Sequence, residues 1–588
     1  MTSFARDLTF GASLIAPDRT RFRLWAPACQ AVAVEIDDRV PMPMRRSPEG
    51  WFEAEARCAA GARYRYRLDD GLAVPDPASR AQGDDVHDPS VVVDPRAYRW
   101  QHPGWRGRKW RETVLYELHV GALDGFAGVR AALPGLAELG ITAVELMPIN
   151  DFPGQRNWGY DGVLPFAPDR AYGTPDELKA LVDAAHSSGL MIFLDVVYNH
   201  FGPDGNYLAR YAPGFFRNDI ATPWGAAIDF RRAEVRRFFT ENALYWLMEY
   251  RFDGLRLDAV HAISEADWLD DMAAEVRATV EPGRHVHLVL EHDGNAAAHL
   301  RRRFDAQWND DAHHVLHVLL TGERDGYYAD YAEQPADKLA RCLAEGFIYQ
   351  GEPSAYRKGR RRGSPSADLP PTAFVFFLQN HDQIGNRPFG DRLVDRVDPA
   401  TLEAAIALQL LCPQIPLIFM GEEDASRTPF LYFTDHHGDL GQAVREGRRR
   451  EFAAFAGFQD GETAQAIPDP NVRQTFDSSR PVTDGRRGAE RRALYKKLLG
   501  LRTAALMPRL TGARAIAARS VGSAAVMARW RLEDGAVFSL VCNLGGELCP
   551  IEQPAGDLLF ESRAGAGKEM RRGRLQGPVT AAFLEAPG

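Results

Sequence analysis

Eight short apolar segments that alternate with helix-like stretches constrain the fold of this 588-residue chain more than any other feature. Helix-start signals separate them, as in the Thr-Pro-Asp-Glu run at 174–177, which predicts a helix over 174–189, and a second helix is predicted over 232–250. Eight strands that are each followed by a helix are typical of an α/β protein with a closed (β/α)8 TIM barrel. A doubly wound sheet with insertions is the alternative. The predicted strands are 114–120, 142–148, 191–197, 254–260, 287–292, 305–310, 373–382 and 416–423.

β-like segments flank the predicted barrel on both sides. Residues 1–97 contain alternating runs rich in aromatic and β-branched residues between Gly, Pro and Asp clusters, which predicts an N-terminal β-sandwich. A Pro-rich tract over 75–90 is typical of an extended connection. We therefore expect a barrel domain over 98–508, with long loops that bind substrate, and a small C-terminal β domain over 509–588.

Charge and cysteine content exclude several classes of function. The net charge of -10 argues against nucleic-acid binding, and the short basic runs at 358–364 and 445–450 are expected to be solvated loops. Six cysteines without a CxxC pair indicate reduced thiols. The N-terminal "MTSFARDLTFGASL" lacks the apolar core of a signal peptide, and no segment reaches the ~18 apolar residues of a membrane span. We expect a cytoplasmic protein without membrane contacts.

Polar residues collect at the ends of several predicted strands. Barrel enzymes place their chemistry at the carboxyl ends of the strands, so Asp258, Glu291 and Asp382 are expected to converge on a single cleft. Each of them alone could instead cap a helix or form a turn. Arg256 lies two residues from Asp258 on the same strand face, where a cation favours the carboxylate form.

Converging carboxylates favour one type of chemistry. The chain has no Gly-rich phosphate loop, no metal-ligand cluster and no Ser-His arrangement beside them, so hydrolysis of a glycosidic bond fits best. That reaction needs one acid and one nucleophile or base. A retaining mechanism would place the carboxyls of Asp258 and Glu291 roughly 5 to 5.5 Å apart.

Four segments in order along the chain resemble the sequence signatures of the α-amylase family of glycoside hydrolases. They are "DVVYNH" (195–200), "GLRLDAVH" (254–261), the Glu of "LVLEHDGN" (288–295) and "LQNHDQIGN" (378–386). The resemblance implies that Asp258 is the nucleophile, that Glu291 is the acid/base and that Asp382 stabilises the transition state. It also implies sugar-binding roles for Tyr160, His200, Arg256 and His381.

Three further segments are similar to a trehalose-releasing group within that family. They are "QRNWGYDGV", "WNDDAHH" (308–314) and "MGEEDASRTPFLYFTDH" (420–436), and the N-terminal domain also resembles the carbohydrate-binding-like domain of that group. This resemblance implies cleavage of the α-1,4 bond beside the terminal trehalose of maltooligosyl-trehalose, with maltooligosyl-trehalose synthase as the pathway partner. The further substrate-binding residues that it implies are His261, Asp310, Asp311, His313, His314, Gln383 and Asn386.

No metal and no other cofactor is expected. Many members of the family hold calcium through an Asn at the position of Asn199, but no dense cluster of Asp oxygens accompanies it here. His313 and His317 share a helical face that could suggest a metal, although packing of His317 and a substrate contact from His313 or His314 are favoured.

Two alternative functions stay open at this point. The first is a glycogen-branching α-glucan transglycosylase, which would make α-1,6 branches, and the second is a non-catalytic glucan-binding protein. Glu422 and Glu423 could contact the sugar or cap the next helix. Conspicuous aromatic residues could stack on sugar or pack between domains, namely Trp158, Trp224, Trp308, Phe389 and Tyr432.

Overall fold

Eight parallel strands close a barrel in the computed structural model, which describes residues 4–452 and 465–587. The first and last strands pair directly, with Leu115 opposite Leu417, so the (β/α)8 prediction is confirmed and the open doubly wound sheet is excluded. The N-terminal residues 1–3 of the segment tested for a signal peptide lie outside the described residues. We number the barrel strands β1 to β8, which are Leu115–Leu118, Ala143–Leu146, Met191–Val196, Gly254–Leu257, His287–Leu290, Ala306–Trp308, Phe374–Phe376 and Ile415–Phe419.

The barrel interior has an apolar layer below a layer of carboxyl and guanidinium groups. Leu115, Ala143, Phe193 and Val289 belong to an apolar cluster built mainly from barrel-strand residues. Side chains two positions apart on a strand point to the same face. The residue two positions after each of these four therefore also faces the barrel interior. Those residues, together with the corresponding one on β4, are Glu117, Glu145, Asp195, Arg256 and Glu291. Within the described residues, the strands therefore carry carboxyl and guanidinium groups only at the end where barrel enzymes place their chemistry.

Helices surround the barrel, and their starts follow local capping chemistry. The Thr174 hydroxyl accepts the Glu177 backbone N–H, and the Glu177 carboxylate accepts the Thr174 backbone N–H at 2.7 Å, which forms a capping box. The helix predicted over 232–250 changes to a π-helical turn over Tyr245–Glu249. The longer helices are Gly125–Leu139, Pro175–Ser187, Ala233–Leu244, Asp267–Thr279, Asp310–Thr321, Pro335–Glu345, Pro399–Leu411, Gly438–Phe452 and Gly485–Leu501.

Two sheets form a sandwich ahead of the barrel. The first contains Gly11–Ala16, Arg19–Trp25, Arg45–Arg46 and Trp51–Ala56, and the second contains Val32–Ile36, Met42–Pro43, Arg63–Leu68, Ala73–Val74 and Ser90–Val91. This domain docks on helix Ala233–Leu244. Thr9 donates its backbone N–H to the Glu241 carboxylate at 2.8 Å, and the Phe10 and Phe238 rings lie 5.1 Å apart.

A β domain follows the barrel. Its five-stranded antiparallel sheet comprises Arg514–Gly522, Ala525–Arg531, Val537–Asn543, Asp557–Glu561 and Val579–Glu585. A smaller sheet pairs Leu548–Pro550 with Arg574–Gln576. The domain packs against the barrel through helix Pro399–Leu411, where the Thr580 hydroxyl donates to the Ala404 carbonyl at 2.7 Å.

The two longest strand-to-helix connections carry small antiparallel pairs. After β2, Asn150–Asp151 pairs with Leu164–Pro168, and after β3, Phe216–Thr222 pairs with Gly225–Ile228 as a hairpin. Both connections follow the carboxyl ends of strands, so they contribute to the same face of the barrel. Within the described residues, the helices are too short or too polar to cross a lipid bilayer.

The two basic runs are only partly solvated, which corrects the sequence prediction. In the first run, Arg360 and Arg361 are exposed, but Arg362 is buried and pairs with Asp311. In the second run, Arg448 is buried and donates to the Gly385 carbonyl. Long-range partners, which local composition does not reveal, hold these two guanidinium groups inside.

Candidate active site

A cavity of about 840 Å³ opens at the carboxyl ends of the barrel strands, and Asp258, Glu291 and Asp382 all line it. Asp258 directly follows β4, Glu291 directly follows β5, and Asp382 lies six residues beyond β7. The closed barrel brings these ends together because its parallel strands all finish at one rim. Residues that are far apart in the chain therefore share one cleft.

Arg256 joins Asp258 and Glu291 below the cleft floor. Its guanidinium is fully buried, and Nη1 donates to Asp258 Oδ1 at 2.7 Å and to Asp195 Oδ2 at 2.8 Å. Nη2 lies 3.2 Å from Glu291 Oε2. The flat group stacks over the Trp308 ring at 4.2 Å. Asp258 and Glu291 thus share one guanidinium.

The backbone after Asp258 is strained, and the strained residue donates a hydrogen bond to Glu291. Ala259 has a φ of 40°, in the left-handed region that residues other than glycine rarely adopt. In this conformation its N–H donates to Glu291 Oε2 at 2.6 Å. Such strain persists where the surroundings impose it, and here it lets the backbone next to Asp258 hold one oxygen of the Glu291 carboxyl.

Asp382 is the most exposed of the three carboxylates. Asn386 donates to its Oδ1 at 3.1 Å, and His381 Nε2 lies 3.5 Å from the same oxygen. Burial raises the pKa of Asp382, and the His381 cation opposes that shift. Asp382 therefore stands between a neutral amide donor and an imidazole on the cleft wall.

Tyr160 and His200 form the wall on the β2 and β3 side of the cleft. The Tyr160 hydroxyl donates to Asp195 at 2.6 Å, and its ring stacks on His381 at 5.2 Å. Burial lowers the pKa of His200, so its ring is neutral. Its Nε2 lies 3.0 Å from the Tyr160 carbonyl, which can only accept, so Nε2 carries the proton and Nδ1 is left as an acceptor.

Trp224, at the tip of the hairpin after β3, extends this wall outward. Its ring stacks on His200 with centroids 4.9 Å apart and an interplanar angle of 12°, and it is 45% exposed. An exposed flat ring that lines a sugar-sized cleft is a platform on which a pyranose can stack.

Replacing Trp224 with Ala should raise KM roughly 3- to 10-fold with little change in kcat, because a stacked ring contributes about 1 kcal/mol of binding. Steady-state kinetics on an oligosaccharide substrate measure the effect. The ring is half exposed, so the melting temperature should stay close to that of the wild type. An unchanged KM would show that Trp224 makes no contact with substrate.

Most of the substrate-binding residues predicted from sequence line the cleft. His261, Asp310, His314, Gln383 and Asn386 do so directly. Burial, together with the nearby Glu291 carboxylate, raises the pKa of Asp310 well above its usual range. Burial lowers the pKa of His314, so its ring is neutral.

Asp311 and His313 lie behind the wall instead. Both are on helix Asp310–Thr321. Successive residues of a helix point about 100° apart, so Asp311 and His313 face the protein interior when Asp310 and His314 face the cleft. Asp311 pairs with Arg362 and accepts from Asn295 at 2.8 Å, and His313 Nδ1 lies 2.6 Å from the Leu378 carbonyl. They support the wall and do not reach the cavity.

Five aromatic and basic lining residues between 327 and 362 were missed by sequence reasoning. They are Tyr327, Tyr331, Tyr356, Arg357 and Arg362. The aromatic run "GYYADY" after β6 was an available signal, whereas the two arginines lie in or beside the basic run that was interpreted as solvated. These residues add aromatic faces and guanidinium donors to the Glu291 side of the cleft.

The other aromatic candidates divide between the cleft and the core. Trp158 and Tyr432 line the cavity, and Trp158 is largely buried against Phe430 at 5.3 Å. Trp308 is fully buried beneath Arg256, so it packs and cannot stack on sugar. Phe389 is 41% exposed outside the lining of the cavity.

Glu422 and Glu423 are buried behind the cleft, so neither contacts the cavity. Glu422 accepts the Phe419 N–H at 3.0 Å and lies 3.4 Å from the Tyr495 hydroxyl, and Glu423 accepts the Tyr116 hydroxyl at 2.7 Å. Burial raises the pKa of Glu422 to about 7 and that of Glu423 to about 7.

Glu422→Gln should stabilise the protein above pH 7 and leave it unchanged near pH 4. A carboxyl whose pKa rises from 4.5 to about 7 on folding contributes its stability below pH 4.5 and loses it as the pH rises through about 7. The loss amounts to at most roughly 3 kcal/mol. Thermal melts from pH 4 to 8 test this, with the exposed Glu533→Gln as the matched control. Equal pH slopes for Glu422→Gln and wild type would contradict it.

A calcium ion does not fit the residues near Asn199. The Asn199 amide is buried without a hydrogen-bond partner, but in residues 4–452 and 465–587 no group of three or more His, Cys, Asp or Glu could hold a metal ion. One amide oxygen is far short of the six to eight oxygens that calcium prefers.

The fold is a (β/α)8 barrel with carboxylates after β4, β5 and β7, and two of these carboxylates contact one guanidinium. This arrangement defines a glycoside hydrolase of the α-amylase family. The family profile described as "Alpha amylase, catalytic domain" matches residues 101–213, and a "Domain of unknown function (DUF3459)" matches residues 513–583. Malto-oligosyltrehalose trehalohydrolase from Deinococcus radiodurans is 44% identical over 82% of this chain and 81% of its own length. The chain belongs to the malto-oligosyltrehalose trehalohydrolase family.

Structural similarity covers the whole chain. A crystal structure of an alpha-amylase candidate from Salmonella typhimurium superposes with a TM-score of 0.93 and 41% identity over 99% of this chain and 100% of that chain. A 1,4-alpha-glucan branching enzyme from Pseudoalteromonas atlantica is 34% identical over 45% of this chain and 41% of its own length. The likeness to branching enzymes is therefore partial.

Proposed function

We propose that the protein hydrolyses the α-1,4-glucosidic bond beside the terminal trehalose of maltooligosyl-trehalose, with retention, and releases trehalose and a shorter maltooligosaccharide. The observation that carries this proposal is the shared contact of Asp258 and Glu291 with the Arg256 guanidinium at the floor of a sugar-sized cleft. Two carboxylates held on one cation support the short spacing that retaining enzymes use.

In the proposed mechanism, Asp258 is the nucleophile. Its carboxylate oxygen attacks the anomeric carbon while the bond from that carbon to the glycosidic oxygen breaks, and Glu291 gives its proton to the departing trehalose oxygen. Glu291 then takes a proton from water, whose oxygen attacks the anomeric carbon and releases Asp258. Arg256 Nη1 donates to Asp258 Oδ1 and so holds the carboxylate in place for the attack.

Asp382 is proposed to bind the sugar and stabilise the charge that develops on its ring. It lines the cavity together with Asp258 and Glu291, with Asn386 and His381 beside it. The departing trehalose would lie on the Glu291 side, where Asp310, with its raised pKa, offers a neutral acid that can donate to a sugar hydroxyl.

The pathway partner and the location are also proposals. A substrate with a terminal trehalose must be made by an enzyme that forms this linkage, so a maltooligosyl-trehalose synthase is the proposed partner. All six cysteines are free and buried, which supports the proposed cytoplasmic location.

Product analysis tests the proposal directly. The enzyme is incubated with maltooligosyl-trehalose and, separately, with a plain maltooligosaccharide of the same number of glucose units. Free trehalose from the first and slower turnover of the second are expected, with the new reducing end in the α configuration. Formation of α-1,6 branches on amylose would support a branching enzyme, and tight glucan binding without turnover at high enzyme concentration would support a binding protein.

A further inference from the structure

We propose that Glu117 is a positioning residue, which holds His381 as a two-donor imidazolium with its Nε2–H at the cleavage site. The proposal rests on the proposed hydrolytic function and deepens it, because it explains how a buried histidine stays a cation beside the cleft. Glu117 lies in β1 and does not line the cavity, so it would act through His381 alone.

Both oxygens of the Glu117 carboxylate are committed to His381. Oε1 contacts the ring at Nδ1, and Oε2 accepts the His381 backbone N–H at 3.0 Å. Glu117 is 1% exposed, so water does not compete for these contacts. Attachment at the backbone and at the ring fixes both the location of His381 and the rotation of its imidazole.

The hydrogen bonds on the opposite side of the ring locate its second proton. The Tyr160 hydroxyl donates to Asp195 Oδ2 at 2.6 Å, and Arg256 donates to both oxygens of that carboxylate. Tyr160 has thereby used its proton, so its oxygen accepts from His381 Nε2, 2.9 Å away. An imidazole with an acceptor at each nitrogen carries both protons and is a cation.

The surroundings of His381 favour this cation despite its burial. Burial by itself would lower the pKa of His381, but the Glu117 carboxylate and Asp382 raise it to about 9. The Arg256 guanidinium acts in the opposite direction. The titratable and charged groups that face His381 from the packed elements are Glu117, His119, Glu145, Tyr160, Asp195, Arg256 and Asp382.

Loss of the Glu117 charge would change what the cleft offers to a sugar. In Glu117→Gln the amide oxygen accepts the His381 backbone N–H, so its NH2 donates to Nδ1 and a neutral ring carries its one proton on Nε2. The cleft would then lose a positive charge, and Asp382 would lose the cation 3.5 Å from its Oδ1. Because that cation lowers the pKa of Asp382, its loss leaves less of the carboxylate that is proposed to stabilise the positive charge on the sugar ring.

Glu145 provides a matched control on the neighbouring strand. It is paired with Glu117 in the register of β1 and β2, it is also 1% exposed, and its carboxyl oxygens lack a hydrogen-bond partner within the described residues. Burial, followed by the Glu117 charge, raises its pKa well above the usual range, so Glu145 is a neutral acid. Glu145→Gln therefore replaces one neutral group by another of the same shape.

The test compares kcat/KM for Glu117→Gln, Glu145→Gln and wild type on maltooligosyl-trehalose from pH 5 to 9. Dividing kcat/KM of Glu117→Gln by kcat/KM of the wild type cancels the pH dependence of ionisations that the two proteins share. The kcat/KM ratio is expected to fall to about 1/100 at pH 8, typical of the loss of one preorganised electrostatic group, and to rise as the pH falls and His381 regains its second proton. The Glu145→Gln ratio should stay near one at every pH.

A low ratio for Glu117→Gln that does not vary with pH would overturn the proposal, because general damage to the barrel has no reason to titrate. A ratio near one would overturn it as well. Glu117→Ser, small and neutral, carries the same expectation if Glu117→Gln does not fold. Absence of trehalose release by the wild type would instead overturn the proposed function, so the two failures are distinguishable.

Discussion

Asp258→Asn is expected to reduce trehalose release by about 10⁴- to 10⁶-fold and to leave the fold intact, because an amide cannot attack the anomeric carbon. The amide oxygen can still accept from Arg256 Nη1, which donates to Asp258 Oδ1 at 2.7 Å. Asp195 also remains bound to that guanidinium, so the buried cation keeps a carboxylate partner. Single-turnover kinetics and a thermal melt measure the two effects separately.

Azide distinguishes a missing nucleophile from general damage. Asp258→Ala leaves a small space beside Arg256, and azide that enters it can form a C–N bond to the anomeric carbon while Glu291 protonates the departing oxygen. Trehalose release should recover in azide, with a β-glycosyl azide as the second product. Wild-type turnover by Asp258→Asn without azide would refute the nucleophile role.

Glu291→Gln is expected to lower kcat by about 10²- to 10⁴-fold on maltooligosyl-trehalose, because the departing sugar oxygen then receives no proton. The glutamine oxygen can still accept the Ala259 N–H, which donates to Glu291 Oε2 at 2.6 Å, so the local backbone should keep its conformation. The measurement is kcat on the natural substrate beside kcat on a dinitrophenyl α-maltoside.

The activated substrate serves as the control for this variant. Dinitrophenolate leaves without protonation, so the first step should recover in Glu291→Gln and a burst of dinitrophenolate should precede slow hydrolysis of the glycosyl-enzyme. Equal losses on both substrates, with no burst, would count against an acid/base role for Glu291.

Local sequence patterns were enough to predict much of the fold. Alternation in "GLRLDAVH" was enough to predict a strand with Arg256 and Asp258 on one face, and the structure has β4 over Gly254–Leu257 with both charged groups in contact. The start of helix Pro175–Ser187 could be predicted because its capping box lies within four consecutive residues. Interactions between near neighbours in the chain leave a clear sequence pattern.

Contacts between distant segments left no such pattern. Glu117 was overlooked as one acidic residue in an apolar strand, and only its approach to His381, 264 residues away, gives it a partner. Arg362 was interpreted as solvated because its neighbours in sequence are basic, yet it is buried with Asp311. Asp311 and His313 were expected at the substrate, but the rotation of their helix turns them to the core.

The sequence by itself determined the order of strands and helices, the barrel and the residues of the family motifs, because these depend on short-range periodicity and on quoted segments of a few residues. Only the tertiary structure decided which carboxylates share the Arg256 cation, which histidine is held by Glu117 and which side chains reach the cavity. Those outcomes depend on closure of the barrel, which brings the ends of eight separate strands to one rim, where burial and charge act across long distances in the chain.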